Sequence, residues 1–363
     1  MAPAAADAVD GGLVARRLPR MTDRVGPFLA QPRITTLTFK NDDPAHVARV
    51  DAFAESITKT AWWGEVARGY CRDNVCIGEG TAARAHLDEA APEELTPDDI
   101  EARLAKHVKT LRTVEPARDL FVFVLPKGTR VREKGGGKPF CEPGAPRAYH
   151  RTAFLDSKAV AYAVVPRCTD VDRQLASMSH EILEATTNPD PVQRGFSFVG
   201  DVRISGFGMA GLEPVDPCGL VTMDDHTVLE AGFPLHRAWS NRAAAEAKDP
   251  CVPSRPDRPY ALLVPRVDSV RITKVGETVT VVVDASSGQV PGAWSISAFD
   301  VTGTQDHESY FEVGLDRGAA KSGDSATLKI TAKKPPPKHR AVVGLVSTVG
   351  VATSMWPLLV VGP

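Results

Sequence analysis

His180 and Glu184 stand four residues apart in the run Ser179-His180-Glu181-Ile182-Leu183-Glu184-Ala185-Thr186-Thr187-Asn188-Pro189. Residues at that spacing share one face of a helix, so an imidazole nitrogen and a carboxylate oxygen would point at a common place. This is a spacing for two ligands of a metal ion. Glu181 lies about 100° round the helix from His180. An H-E-x-x-H zinc hydrolase carries its general base there. Glu184 replaces the second histidine of that motif. Taken alone, the pattern also fits polar residues on the outer face of an ordinary surface helix.

Two more carboxylates follow in Leu212-Glu213-Pro214-Val215-Asp216-Pro217-Cys218. Glu213 and Asp216 are three apart and each is followed by a proline, which restricts the backbone and suits a ligand-bearing loop. The expected ligand set is His180, Glu184 and one or both of Glu213 and Asp216, with His226, His236 and Asp201 in reserve. One imidazole with two carboxylates suits Zn2+ and leaves a position for water. The carboxylate in place of a histidine makes the metal a weaker Lewis acid, so Ca2+ or Mn2+ also fits. In a hydrolase of this kind Glu181 would take a proton from water, and Tyr149 or His150 would stabilise the oxyanion. Without a metal, Glu213 and Asp216 read as solvated acids in a turn.

Around these residues the pattern predicts alternating strands and helices. Ala159 to Val165 reads as a strand feeding a helix that contains His180. Thr169 and Asp172 resemble a capping box, and Asn188-Pro189 stops the helix. Val171, Leu175, Met178 and Ile182 form one stripe, and Ala176, His180, Glu184 and Thr187 another opposite. Upstream, Pro32 to Phe39 predicts a strand and His46 to about Tyr70 a helix ending near Trp62-Trp63, a pair that reads as core. Pro97 to about Thr113 predicts another helix and Leu120 to Leu125 a buried strand. Arg130 to Pro143 reads as a surface connector. Its Gly135-Gly136-Gly137-Lys138 lacks the spacing of a phosphate-binding loop. Together these segments predict an α/β or α+β domain over residues 25–256, preceded by a disordered leader over 1–24.

From residue 257 to 363 the texture changes. Eight short alternating runs, from Tyr260–Val264 to Leu358–Val361, predict an antiparallel, all-β sandwich of immunoglobulin-like type, an accessory domain without a catalytic cluster.

Composition narrows the function classes. The 363-residue chain is 43% hydrophobic, 24% charged and carries a formal net charge of −2, which gives no footprint for nucleic acid or an anionic membrane. It holds no run of eighteen apolar residues. Six cysteines allow fifteen connectivities, of which the local one, Cys71–Cys76, Cys141–Cys168 and Cys218–Cys251, is the easiest to draw. Three disulfides imply an extracytoplasmic home, whether secreted, periplasmic or surface-attached.

The ordered set of motifs resembles the phosphate-induced protein, or exordium-like, family and its bacterial relatives, over about residues 25–253. The resemblance rests on Pro32 to Phe39 and Trp62-Trp63, on Ala148-Tyr149-His150, and on Ala161 to Cys168. It continues through the H-E-x-x-E-x-x-T-N-P run from His180 to Pro189, Glu213 to Cys218, and Trp239-Ser240-Asn241. It implies a secreted, disulfide-bonded, zincin-like domain, because the H-E-x-x-E helix looks like that of zincin metallopeptidases. Gly195-Phe196 departs from that family's Gly-Trp, and the stretch up to Glu213 is longer than usual. The expected function is a secreted zinc-dependent, peptidase-like hydrolase acting on peptide or protein. The alternative is a non-catalytic extracellular binding or adhesion protein, for instance on cell-surface polysaccharide, in which the metal or the His-Glu cluster is structural.

Overall fold

The structure is a computed structural model that describes residues 18–111, 113–133, 138–143, 145–198, 213–222, 227–255, 257–267 and 269–362. Asp201, His226 and most of the glycine-rich passage before Glu213 lie outside the described residues.

A five-stranded mixed sheet organises the first part of the chain. Its strands are β1 (Arg33–Phe39), β2 (Thr81–Leu87), β3 (Asp119–Val124), β4 (Tyr149–Leu155) and β5 (Lys158–Val165), in the spatial order β2-β1-β3-β5-β4. Only β4 runs antiparallel to its neighbour. Strand β3 is buried at every position, as its unbroken apolar run requires of a strand covered on both faces. The two strands with no clear sequence signal, β2 and β4, are the edges. An edge strand is covered less completely, so Thr-Ala-Ala-Arg-Ala-His-Leu can pair there without an apolar stripe.

Helices cover both faces. Helix α1 (Pro44–Ile57), capped by Asp43 with proline at its first position, packs on one face beside α4 (Val171–Thr187). Helix α3 (Pro97–Val108) covers the other, where Ile100 and Leu104 join Leu37, Phe121, Phe123, Tyr162 and Val164 in one cluster. Its capping box, Thr96 with Asp99, is complete. The helix expected over 46–70 is broken instead. Thr60 accepts a hydrogen bond from the backbone N–H of Trp63 and so caps a separate helix, α2 (Ala61–Val66). Trp62 and Trp63 are both in the core.

Helix α4 begins one residue later than a Thr169 cap would have it. Asp170 is the N-cap, accepting from the Arg173 N–H. The helix ends where Asn188-Pro189 stops it. Its two stripes do not divide into core and solvent, since Leu175, Met178 and Ile182 on one side and Ala176, Glu184 and Thr187 on the other are all buried. Gly195 seals the end of the helix. A Cβ there would lie 2.3 Å from the Thr187 carbonyl oxygen and 2.5 Å from that of Pro27, closer than any side chain tolerates.

Past residue 260 two sheets pack face to face. One orders β8 (Leu262–Pro265), β10 (Thr278–Ser286), β14 (Ser325–Ala332) and β12 (Phe311–Leu315) as β8-β10-β14-β12. The other orders β9 (Ser269–Arg271), β16 (Ala352–Val361), β15 (Arg340–Val349), β11 (Trp294–Asp300) and β13 (Ala319–Ala320) as β9-β16-β15-β11-β13. The pairing departs from wholly antiparallel at β9, which runs parallel to β16. The sandwich is also less separate than an accessory unit. A single buried cluster runs from Trp63 and Ile182 through Trp239 to Trp356 and Leu358, with the Trp239 and Trp356 rings 6.4 Å apart. The three local disulfides, Cys71–Cys76, Cys141–Cys168 and Cys218–Cys251, are all formed.

Candidate metal centre and its surroundings

Three elements meet around the buried middle of α4. The helix supplies His180, Glu181 and Glu184 as its own residues. Strand β4 supplies His150, and the segment leading into helix α5 (Asp216–Val221) supplies Glu213 and Asp216. Space for α4 comes from the sheet. Ala161 and Ala163, the small residues of β5, face it, and His150 is paired with Ala163 in the register.

On the side open to solvent, His180 Nε2 is 2.8 Å from Glu184 Oε2 and 3.6 Å from Asp216 Oδ1. One ligand atom from each of His180, Glu184 and Asp216 lies within 4.8 Å of the others. The His180 and Asp216 side chains keep 20% and 40% of their surface, against 4% for Glu184. They border a cavity of about 510 Å³, together with Glu181, Ala148, Val215 and Leu220. The loop is fastened to the helix by its own backbone, as the Val215 N–H donates to Glu184 Oε1 at 3.1 Å.

On the inner side, the His150 ring lies between two carboxylates, with Nδ1 3.1 Å from Glu181 Oε2 and Nε2 3.4 Å from Glu213 Oε1. Of the four expected ligands, three therefore converge on one point. Glu213 turns instead towards His150.

Tyr149 does not reach the site. Successive side chains of a strand point to opposite faces, so with His150 facing α4, Tyr149 faces α3 and packs against Phe140 and Tyr162 at ring distances of 5.3 and 6.1 Å. Burial there pushes its phenol far above the usual range. An oxyanion role for Tyr149 is thereby withdrawn. His150 is at the site, but Glu181 and Glu213 engage it, so it is placed to orient Glu181 and not to receive an oxyanion.

His236, a reserve ligand in the sequence, arrives by a hairpin. Strands β6 (Thr227–Glu230) and β7 (Phe233–His236) are joined by Ala231-Gly232, both at positive φ, 51° and 80°. That geometry matches a type I′ turn, and Ala231 in place of Asn or Asp hides the usual signal. Strand β7 lies along α4, where the His236 N–H donates to Ser179 Oγ at 2.9 Å and its ring Nδ1 sits 3.4 Å from His180 Nδ1.

Charge in the site follows from this crowding. Burial works against a charged His180, but Glu184 first, then Glu181 and Asp216, outweigh it and raise its pKa to about 10. Burial pushes the Glu184 carboxyl up, to about 8, while His180 pulls it down. A similar contest holds His150 well above the usual imidazole value, with burial overcome by Glu213 and Glu181.

A metal must displace the His180 proton to bind. Zinc affinity is therefore expected to rise with pH, by up to about tenfold per unit for one proton released. Titration calorimetry in buffers of different ionisation enthalpy reads that proton directly, and an affinity flat between pH 6 and 9 would exclude His180 as a ligand. Without metal the sign for folding is the reverse. His180 has a folded pKa of about 10 against an ordinary 6.5, so its stabilising charge is complete at low pH and fades as pH climbs through that window.

The donor set passes a test for fit. An imidazole and two carboxylates converge, two of the three facing a cavity, which matches a zinc site with an open position.

No protein-family model matches the chain, and no curated protein matches it. Among solved structures, a chimeric titin Z1Z2 carrying a decorin peptide is 18% identical, with a TM-score of 0.18, covering 26% of this chain and 85% of its own. Titin domain M4 is 12% identical, with a TM-score of 0.20, covering 28% of this chain and 95% of its own. A Bacteroides ovatus GH5 xyloglucanase in complex with a XXXG heptasaccharide is 10% identical, with a TM-score of 0.19, covering 29% of this chain and 19% of its own. Similarity at this level leaves fold and function to be argued from the chain itself.

Proposed function

We propose that the chain is an extracytoplasmic, zinc-dependent hydrolase of peptidase type, whose metal is held by His180, Glu184 and Asp216. The observation that carries this reading is the convergence of those three side chains at a cavity that Glu181 also borders. A bound divalent cation would polarise a carbonyl and make a water easier to deprotonate. Glu181 does the proton work. Its Oε2 is held by His150, which fixes the carboxylate and leaves its other oxygen to accept a proton from water and return it to the leaving amine. The apolar part of the cavity, Ala148, Val215 and Leu220, receives the substrate and excludes water from the reacting carbonyl.

The ordered motifs support placing the chain with the exordium-like family. A mixed sheet with one antiparallel edge strand beside the H-E-x-x-E helix supports a zincin-like domain, and the two-sheet packing an immunoglobulin-like one. Three disulfides support the extracytoplasmic location. Among the described residues no helix is long and apolar enough to cross a membrane.

Elemental analysis of the purified protein beside His180→Ala tests the metal. About one zinc per chain is expected in the parent and none tightly held in the variant. No metal in the parent after incubation with zinc, calcium and manganese would end the hydrolase reading. A second reading rests on a separate observation, that Glu184 Oε1 accepts from the Val215 N–H and Ser179 Oγ from that of His236. These bonds tie two loops to α4, as a structural site in an adhesion or polysaccharide-binding protein would. Melting that drops on metal removal, with no hydrolysis of casein or a peptide library, would favour it.

A further inference from the structure

We propose that a second divalent-cation position lies behind the first, formed by His150, Glu181 and Glu184, and that filling it occupies the chain's own general base. The inference rests on the hydrolase reading above and extends it to regulation by metal concentration.

Geometry comes first. One ligand atom each from His150, Glu181 and Glu184 lies within 4.8 Å of the other two, and all three residues are buried. Glu184 belongs to both ligand groups, so its two oxygens can face two ions. His150 brings the imidazole to this group. Its side chain is 4% exposed and lies between two carboxylates, with Nδ1 3.1 Å from Glu181 Oε2 and Nε2 3.4 Å from Glu213 Oε1.

Charge points the same way. Glu181, Glu184, Glu213 and Asp216 gather four carboxylates in one volume, and no lysine or arginine ion-pairs with any of them among the described residues. Buried charge of one sign must be compensated. Only two imidazoles, those of His150 and His180, face the four carboxylates, so negative charge is left for cations to compensate. The outer position, bordered by the cavity, fills first. The inner one lies behind Glu181 and fills as metal concentration rises.

The consequence is inhibition by excess metal. A cation on the Glu181 carboxylate withdraws charge from it and lowers the basicity of the oxygen that must accept a proton from water.

The test is equilibrium dialysis against rising zinc, with elemental analysis of parent, His150→Gln and Glu181→Gln proteins. Two zinc per chain are expected in the parent, one tight and one weak, and a single tight zinc in each variant. In His150→Gln, the zinc concentration that inhibits the remaining hydrolysis should rise by about tenfold or more. One zinc in all three proteins overturns the second position and leaves the first standing. Two in all three place the weak ion elsewhere on the molecule and overturn the proposal equally. No zinc in the parent overturns both positions. Glu181→Gln removes an inner ligand without touching β4, so the stoichiometry stays decisive if His150→Gln folds poorly.

Discussion

Glu181→Gln is expected to abolish most hydrolysis while keeping one tightly bound zinc per chain. The substitution preserves shape and the hydrogen bond to His150 Nδ1, 3.1 Å away in the parent, but an amide cannot accept a proton from water at neutral pH. General-base catalysis contributes roughly 10²–10⁴-fold, and kcat should fall by that factor with little change in KM. Turnover of a labelled peptide library, measured beside zinc content, separates the outcomes. Parent-level turnover in the variant would remove Glu181 from the mechanism. Loss of the tight zinc would instead make Glu181 a ligand of the outer position, contrary to the assignment of His180, Glu184 and Asp216.

Trp239→Ala should have the largest effect on stability. The indole is fully buried, and its Nε1 donates to the Pro19 carbonyl at 3.2 Å. The ring packs edge-on to Phe198 at 5.2 Å and against Trp356 of the sandwich at 6.4 Å. Truncating a buried tryptophan leaves a cavity and costs about 3–5 kcal/mol. The site should feel it as well. The main chain at this residue, which the emptied cavity would let shift, accepts the Tyr70 hydroxyl hydrogen bond on its carbonyl and donates through its N–H to the Pro214 carbonyl at 2.7 Å, between Glu213 and Asp216. Denaturant unfolding and zinc affinity in the same variant should therefore fall together. A loss below about 1 kcal/mol would mean that the two parts of the chain are held by other contacts.

The same connection gives the sandwich a role at the site. Helix α5 starts at Asp216 and packs on β16, and Val215, Cys218 and Val221 belong to the cluster that includes Trp356. The Cys218–Cys251 disulfide ties α5 to the chain segment beside Trp239. Asp216 is thus held from behind by the second half of the chain, which makes a rigid ligand loop out of a short and otherwise exposed one.

The sequence by itself determined what depends on local chemistry. A four-residue spacing on a helix places His180 beside Glu184 whatever surrounds it, Asn188-Pro189 ends that helix, and a run such as Leu120 to Val124 has no stable place but a covered strand. Short cysteine separations likewise made the local disulfide pairing the simplest to draw. Tertiary structure alone decided the rest, because strand parity and loop approach are long-range facts. Tyr149 and His150 are equivalent as sequence neighbours. Only pairing Ala163 with His150 in the register turns the imidazole towards α4 and the phenol away. Glu213 and Asp216 differ by three positions in one loop, yet the Val215 N–H bond to Glu184 sends Asp216 to His180 and leaves Glu213 to His150. The β2 and β4 strands, with weak local signals, exist because a neighbouring strand offers its hydrogen-bonding edge.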